Sequence, residues 1–240
     1  MGLAKDFNKV LQDEIRIQAA WLPITNTFQV GDFGVISDGV FTRMGNITPD
    51  FNVAFQAKAG AGTGLNFTSK SVSVLRFQGE AAVNAFTGDA VDAKLRIEFG
   101  KERSFFLRAT LTSSEMEGIF KAAQELANKP RFNTGKFKVV SALYTGTNAT
   151  ILSSRDSNAA VEISAKADAL KKLDVGAAEA GLSFSSKKGL GLEILGESGI
   201  VGLKLFKVEQ DGPRFEAVGA RKSQPYSLST DWESDLPDDL

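Results

Sequence analysis

The chain has 240 residues, 42% hydrophobic, 24% charged and 9% aromatic, an ordinary globular balance able to bury a sizeable core. Its formal charge of −1 offers no electrostatic footprint for nucleic acid, so no nucleic-acid partner is expected. The absence of both Cys and His excludes a Cys nucleophile, a Ser-His or Cys-His dyad, a structural zinc of the Cys/His type and any disulfide.

No stretch approaches the roughly 18 apolar residues of a membrane-crossing helix. The opening MGLAKDFNKVLQDE lacks the apolar core of a secretory signal, and Asp6 stands where a myristoylation signal wants Ser or Thr. A soluble, cytoplasmic resting state is therefore the expectation. No Pro/Ser-rich linker or charge run divides the interior, so residues 1–220 read as one β-rich α+β domain and 221–240 as an acidic, flexible tail.

Leu3, Phe7, Val10, Leu11, Ile15 and Ala19 mark one face of an amphipathic packing helix that ends before Pro23. Asp38-Gly39, set between Val35-Ile36 and Val40-Phe41, predicts a tight hairpin turn. Residues 51–67, FNVAFQAKAGAGTGLNF, then keep a two-residue period. Phe51, Val53, Phe55, Leu65 and Phe67 share one face, while Asn52, Gln56, Lys58, Gly60, Gly62 and Gly64 share the other. The stretch is longer than an ordinary strand. A change of parity at Thr68-Ser69-Lys70 predicts a turn or bulge, so that 51–77 forms a long hairpin or a kinked ribbon. A second hairpin is expected over 91–111: Val91, Ala93, Leu95, Ile97 and Phe99 alternate with Lys94, Arg96 and Glu98, and Phe105, Leu107, Ala109 and Leu111 return.

Ser114-Glu115-Met116-Glu117 fits a capping box opening a helix striped by Met116, Ile119, Phe120, Ala123 and Ala127, with Pro130 past its end. Strands are expected at 137–144, 149–153 and 159–167, the last with Val161 and Ile163 in its apolar row. Residues 168–180 leave two readings open, a short helix seeded by Ala169, Leu170 and Leu173, or irregular chain weakened by Gly176. Closing strands follow at Leu182 and Phe184, at Leu190, Leu192 and Ile194, and at Val201, Leu203 and Leu205, separated by Lys187-Lys188-Gly189 and Glu197-Ser198-Gly199. The fold class is α+β, mostly antiparallel twisted β-sheet with long hairpins, an N-terminal helix and a central helix. In the tail, Asp231, Glu233, Asp235, Asp238 and Asp239 surround Tyr226, Leu228 and Trp232, the residues through which it would dock on its own domain or a partner.

Chemistry-bearing motifs are sparse. Gly60, Gly62 and Gly64 lack the strand-turn-helix context of a dinucleotide loop, and there is no P-loop, GxSxG elbow or EF-hand. Asp89, Asp92 and Glu162 read as solvated strand and turn carboxylates, and a Ser-Lys pairing in three dimensions stays open. No catalytic residue, cofactor, metal ligand or small-molecule substrate is assigned, and an enzyme is not expected.

The order of elements nevertheless resembles the pore-forming domain of gasdermins over most of residues 3–208. The resemblance is carried by an N-terminal helix, a first hairpin, the ribbon VAFQAKAGAGTGLNFTSKSVSVL, a helix, KFKVVSALYTGTNATIL and the closing AGLSFSSKKGLGLEILGESGIVGLKLFKV. It implies a soluble protein whose regions 51–77 and 137–167 rebuild into membrane-spanning hairpins on oligomerisation. Membrane lipids and further copies of the chain would be the partners, and the short tail would be a restraint as in small bacterial members. Phe51, Val53, Phe55, Leu65, Phe67, Val161 and Ile163 are then the membrane-insertion candidates. Two features depart from the family. The lipidated N-terminal Cys of bacterial members is missing, and the 91–111 hairpin has no counterpart. Read without the resemblance, the same alternation describes the core strands of a soluble, non-catalytic β-rich binding or structural module.

Overall fold

A computed structural model describes residues 2–87, 93–174 and 182–208 and shows an α+β protein of antiparallel sheets with an N-terminal helix. The chain groups into two compact units, Met1–Ala61 with Ser113–Thr145 and the described part of Ile200–Leu240, and Gly62–Thr112 with Gly146–Gly199. No helix of the described residues is long and apolar enough to cross a membrane, which says nothing of strands.

In the first unit, helix α1 (Leu3–Ile15) buries Phe7 and Leu11 and ends before the predicted Ala19, at Arg16, which is left-handed with φ 59°. Ala19, predicted on the helix, instead joins strand β1 (Gln18–Ala19), because strand β13 (Leu190–Lys207) offers it a partner in Gly202 and the side chain of Asn8 accepts its N–H. The predicted hairpin forms. Strand β2 (Asp32–Ser37) pairs with β3 (Val40–Asn46), and Asp38 and Gly39 both take positive φ, as a tight two-residue turn requires. Asn46 then caps helix α2 (Ile47–Phe51), its side chain accepting from the Thr48 N–H, and left-handed Asn52 ends it. Phe51 is thus the last helical residue, and the ribbon begins only at β4 (Gln56–Ala59).

Strand β9 (Phe105–Glu117) takes up Ser114 to Glu117, which pair with β4, so no capping box forms. Helix α3 (Ile119–Ala127) starts instead from left-handed Gly118. The ladder satisfies backbone groups that a helix would leave to side chains, and it wins. Strand β10 (Lys138–Ser154) is one element where two were predicted, Asn148 being a left-handed residue inside it, and β13 likewise runs through Glu197-Ser198-Gly199. The core of this unit joins Phe33, Ile47, Val53, Met116, Ala123, Leu126, Val139 and Phe206.

The second unit contains two sheet layers. One holds β5 (Thr63–Thr68) with the adjoining parts of β9, β10 and β13; the other holds β6 (Val72–Gln78), β7 (Ala81–Val83), β8 (Ala93–Phe99), β11 (Ala159–Ala165) and β12 (Ser183–Lys188). Helix α4 (Ala167–Asp174) packs on β8 and β11, which decides the 168–180 ambiguity in favour of helix as far as Asp174. The predicted 91–111 hairpin does not form. Its two strands, β8 and β9, belong to different sheets, and β8 pairs with β6 and β11 while β9 pairs with β4, β5 and β10. The alternation holds within each strand, but residues 100–104 turn the chain from one sheet to the other instead of folding it back. Val91, Asp89 and Asp92 lie outside the described residues.

Candidate functional site

Strand pairing in the second unit repeats itself. In the first sheet the order is β5-β9-β10-β13, and in the second it is β6-β8-β11-β12. The chain links each strand of one order to the corresponding strand of the other: β5 to β6, β8 to β9, β10 to β11 and β12 to β13. The same four lengths of chain therefore lie side by side twice, on either side of a corner that all four cross. The first two make one bent hairpin, pairing Thr63 with Leu111 through Thr68 with Phe106, then Val72 with Phe99 through Gln78 with Ala93. The other two make a second, with Ala160 opposite Lys188 and Ser164 opposite Ser183.

Each hairpin keeps an apolar face. On β5 and β9, Leu65 lies opposite Ala109 and Phe67 opposite Leu107, whereas Asn66 opposes Arg108 on the other face. Beyond the corner, Val161 opposes Ile97, and Ile163 opposes Leu95. This second apolar face is covered by Leu170 and Leu173 of α4, all within one core cluster. The opposite face carries the ion pairs of Arg96 with Glu98 and Glu162, at 2.8 and 3.5 Å and partly exposed, which add little stability.

The membrane-insertion candidates fall into three groups. Phe51, Val53 and Phe55 belong to the first unit's core; Phe51 meets Phe33 and Phe132 edge-on, with centroids 5.2 and 5.3 Å away. Leu65 is buried and Phe67 half-buried on β5. Val161 and Ile163 are buried beneath α4. Tyr226, Leu228 and Trp232 lie outside the described residues. The glycine row of the opening ribbon also divides. A Cβ on Gly60 would meet Ser113 Oγ at 2.1 Å, so that hydroxyl would have to turn aside, whereas Gly64 has nothing within 4 Å and leaves the ribbon's outer face bare.

Backbone bonds cross the corner, among them Gly100 N–H to the Ser71 carbonyl and Arg103 N–H to the Ser154 carbonyl, and serine hydroxyls add to them. Ser69 Oγ accepts from the Phe105 N–H at 2.9 Å. The hydroxyls of Ser71 and Ser104 lie 2.6 Å apart, and Ser104 donates onward to the Lys101 carbonyl at 3.0 Å. Ser154 Oγ accepts from the Ser104 N–H at 2.9 Å and donates to the same Lys101 carbonyl at 2.6 Å. Ser69 lies in the turn that the parity change marks, but nothing in the sequence marks Ser71, Ser104 and Ser154, because they come from three separated stretches and no local pattern joins them. Among the described residues no group of acidic side chains is placed to hold a metal ion.

In the first unit, burial and the carboxylate of Glu115 raise the pKa of the Tyr144 phenol above its ordinary value of 10.0. The folded state therefore holds this proton more tightly than the unfolded chain, and stability is undiminished below pH 10 but falls as pH rises beyond it. Tyr144→Phe is expected to remove part of that alkaline loss in urea titrations run at pH 8 and pH 11. As the chain has two tyrosines, the variant leaves one phenol to follow spectroscopically.

No protein-family model, characterised protein or solved structure matches the chain.

Proposed function

We propose that the chain is a non-enzymatic, membrane-permeabilising protein, stored soluble and activated when its two bent hairpins straighten into neighbouring strands of an oligomeric β-barrel. The observation that carries this reading is the repeated strand order. The four lengths of chain that would enter the membrane are already adjacent, antiparallel and in sequence on both sides of the corner. Straightening then keeps the neighbours that each strand has. Each of the four exceeds the about 9 to 11 residues that a membrane-spanning strand needs, and each hairpin carries one apolar face for lipid and one polar face for a lumen. An edge position supports rebuilding as well: among the described residues β4 and β5 pair with β9 alone. Closure into a barrel of several copies would satisfy the open edges that lipid does not tolerate. The acidic tail, with Tyr226, Leu228 and Trp232, is the restraint in this reading.

Dye-filled liposomes test it. Release is expected from the full chain or, if the tail restrains it, from a chain ending at Val208; intact vesicles with both would sink the proposal. The second reading, a soluble β-rich binding module, is favoured by the complete burial of Val161 and Ile163 as ordinary core residues. A specific protein partner together with intact vesicles would decide for it.

A further inference from the structure

We propose that the corner is a hydroxyl-clasped hinge: Ser71, Ser104 and Ser154 clasp three of the four chain passages in their bent form, and releasing this clasp is the first conformational step, taken before the ladders on either side separate.

Three observations carry the proposal. The first is what the hydroxyls bond. Ser104 N–H, Phe105 N–H and the Lys101 carbonyl are backbone groups of the kind a straight ladder pairs with backbone, yet here serine side chains satisfy them. A backbone partner gained on straightening would replace each of these bonds, so opening need not leave a buried polar group unpaired. The second is register. Thr68 faces Phe106 but Val72 faces Phe99, so one arm advances four residues while the other advances seven, and the surplus is coiled into residues 100–104. The bent form thus stores slack in the chain that only the corner holds. The third is backbone conformation. Three of the four passages contain a left-handed residue, Arg103 at φ 57°, Asn158 at φ 68° and Gly189 at φ 67°, and for Arg103 that conformation is unfavourable. Ser104 and Ser154 are nearly fully buried, and the bond from the Ser104 N–H to Ser154 Oγ is shielded from competing water. Beside them Ser153 Oγ is buried without a hydrogen-bond partner, as is Thr150 Oγ1. The neighbourhood is polar, tightly closed and not fully satisfied, unlike the apolar packing beneath α4.

The hinge gains its purpose from the permeabilising reading, but its test does not depend on that reading. Amide hydrogen exchange is measured on the full chain and on Ser104→Ala, Ser154→Ala and the double variant, with Ser71→Ala as a milder change at a partly buried site. Exchange at Gly100, Ser104, Phe105 and Ser154 is expected to speed up by at least about tenfold in the double variant, which removes every hydrogen bond made by the two hydroxyls. The amides of β2 and β3 are expected to keep their rates. Equal acceleration everywhere would mean global destabilisation and would overturn the hinge, as would unchanged exchange at the corner. If the corner alone loosens while no variant or the parent chain releases liposome dye, the hinge stands and the permeabilising reading falls. If dye is released at the parent rate by all variants and corner exchange is unchanged, the reverse holds.

Discussion

Replacing Leu170 and Leu173 with alanine is expected to uncover the apolar face of β8 and β11 before the rest of the protein unfolds. Both leucines are fully buried in the cluster that also holds Leu95, Ile97, Val161 and Ile163. A buried Leu→Ala change costs about 2–5 kcal/mol. Helix α4 has only eight residues, too few to be stable alone, since isolated helices below roughly 12–15 residues are marginal in water. Its helicity therefore comes from the packing that the two substitutions remove. Detachment of the helix costs less than unfolding the sheet beneath it, which keeps its ladder bonds. The double variant is expected to bind an apolar dye at neutral pH, and to show an early transition in urea that the parent chain lacks. Lys171→Ala, exposed on the opposite side of the same helix, is the control and is expected to behave as the parent. If uncovering this face is how the hairpins are released, the double variant will also release liposome dye faster. A single cooperative transition, shifted but not split, would show instead that α4 and the sheet unfold as one.

What the sequence made legible was local. Period-two alternation located the strands, and the Asp38-Gly39 turn is where the residues said it would be, because two adjacent positive φ values leave few choices of side chain. The parity change at Thr68 to Lys70 marked a real event, the passage from one sheet into the other. What remained hidden was which strand pairs with which. Val91 to Leu111 reads as a clean hairpin, since each half has a faultless alternation, but alternation fixes only the face of a strand and never its neighbour. A turn at 100–104 that folds the chain back and one that carries it round a corner present the same residues.

The same limit explains the ribbon. Phe51, Val53 and Phe55 continue the parity of Leu65 and Phe67, so the stretch looks like one strand. Yet the Asn46 cap and left-handed Asn52 make a turn of helix from residues 47–51, and the phenylalanines turn into the first unit's core. Thr145 to Asn148 and Glu197 to Gly199 also carry turn-like residues, but long strands run through them, with left-handed residues at Asn148 and Gly196. Nor did composition announce two units. A linker marks a boundary crossed once, whereas here the chain passes between units within its ribbon and strands, at residues 61–62, 112–113, 145–146 and 199–200. No Pro- or Ser-rich segment is needed where a strand itself is the connection.

Asp32→Ala is expected to be among the most destabilising single changes in the first unit, and the reason lies in what its carboxylate does rather than in its charge. Asp32 is fully buried. One oxygen accepts from the Gln29 N–H at 2.8 Å and from Arg43 Nε at 2.9 Å, and the other accepts from Asn46 Nδ2 at 2.9 Å. Asn46 in turn caps α2, so the carboxylate fixes the open end of the β2–β3 hairpin and the helix that delivers the chain to β4. Removing it leaves one hydrogen of the buried Asn46 amide without its acceptor and loses the part-buried bond from the Gln29 N–H, and an unsatisfied buried donor costs about 1–3 kcal/mol. A total of about 3 kcal/mol follows. Arg43→Ala removes the opposite partner of the same ion pair, yet its side chain is 48% exposed, and its loss is expected to cost no more than about 1 kcal/mol. Asn46→Ala should fall between, losing one bond to Asp32, one to the Val30 carbonyl and the α2 cap, the last worth about 1 kcal/mol. Urea unfolding of the three variants is therefore expected to rank them Asp32, Asn46, Arg43 in order of decreasing loss. Equal losses for Asp32→Ala and Arg43→Ala would mean that the ion pair itself, and not the buried acceptor, organises this corner of the fold.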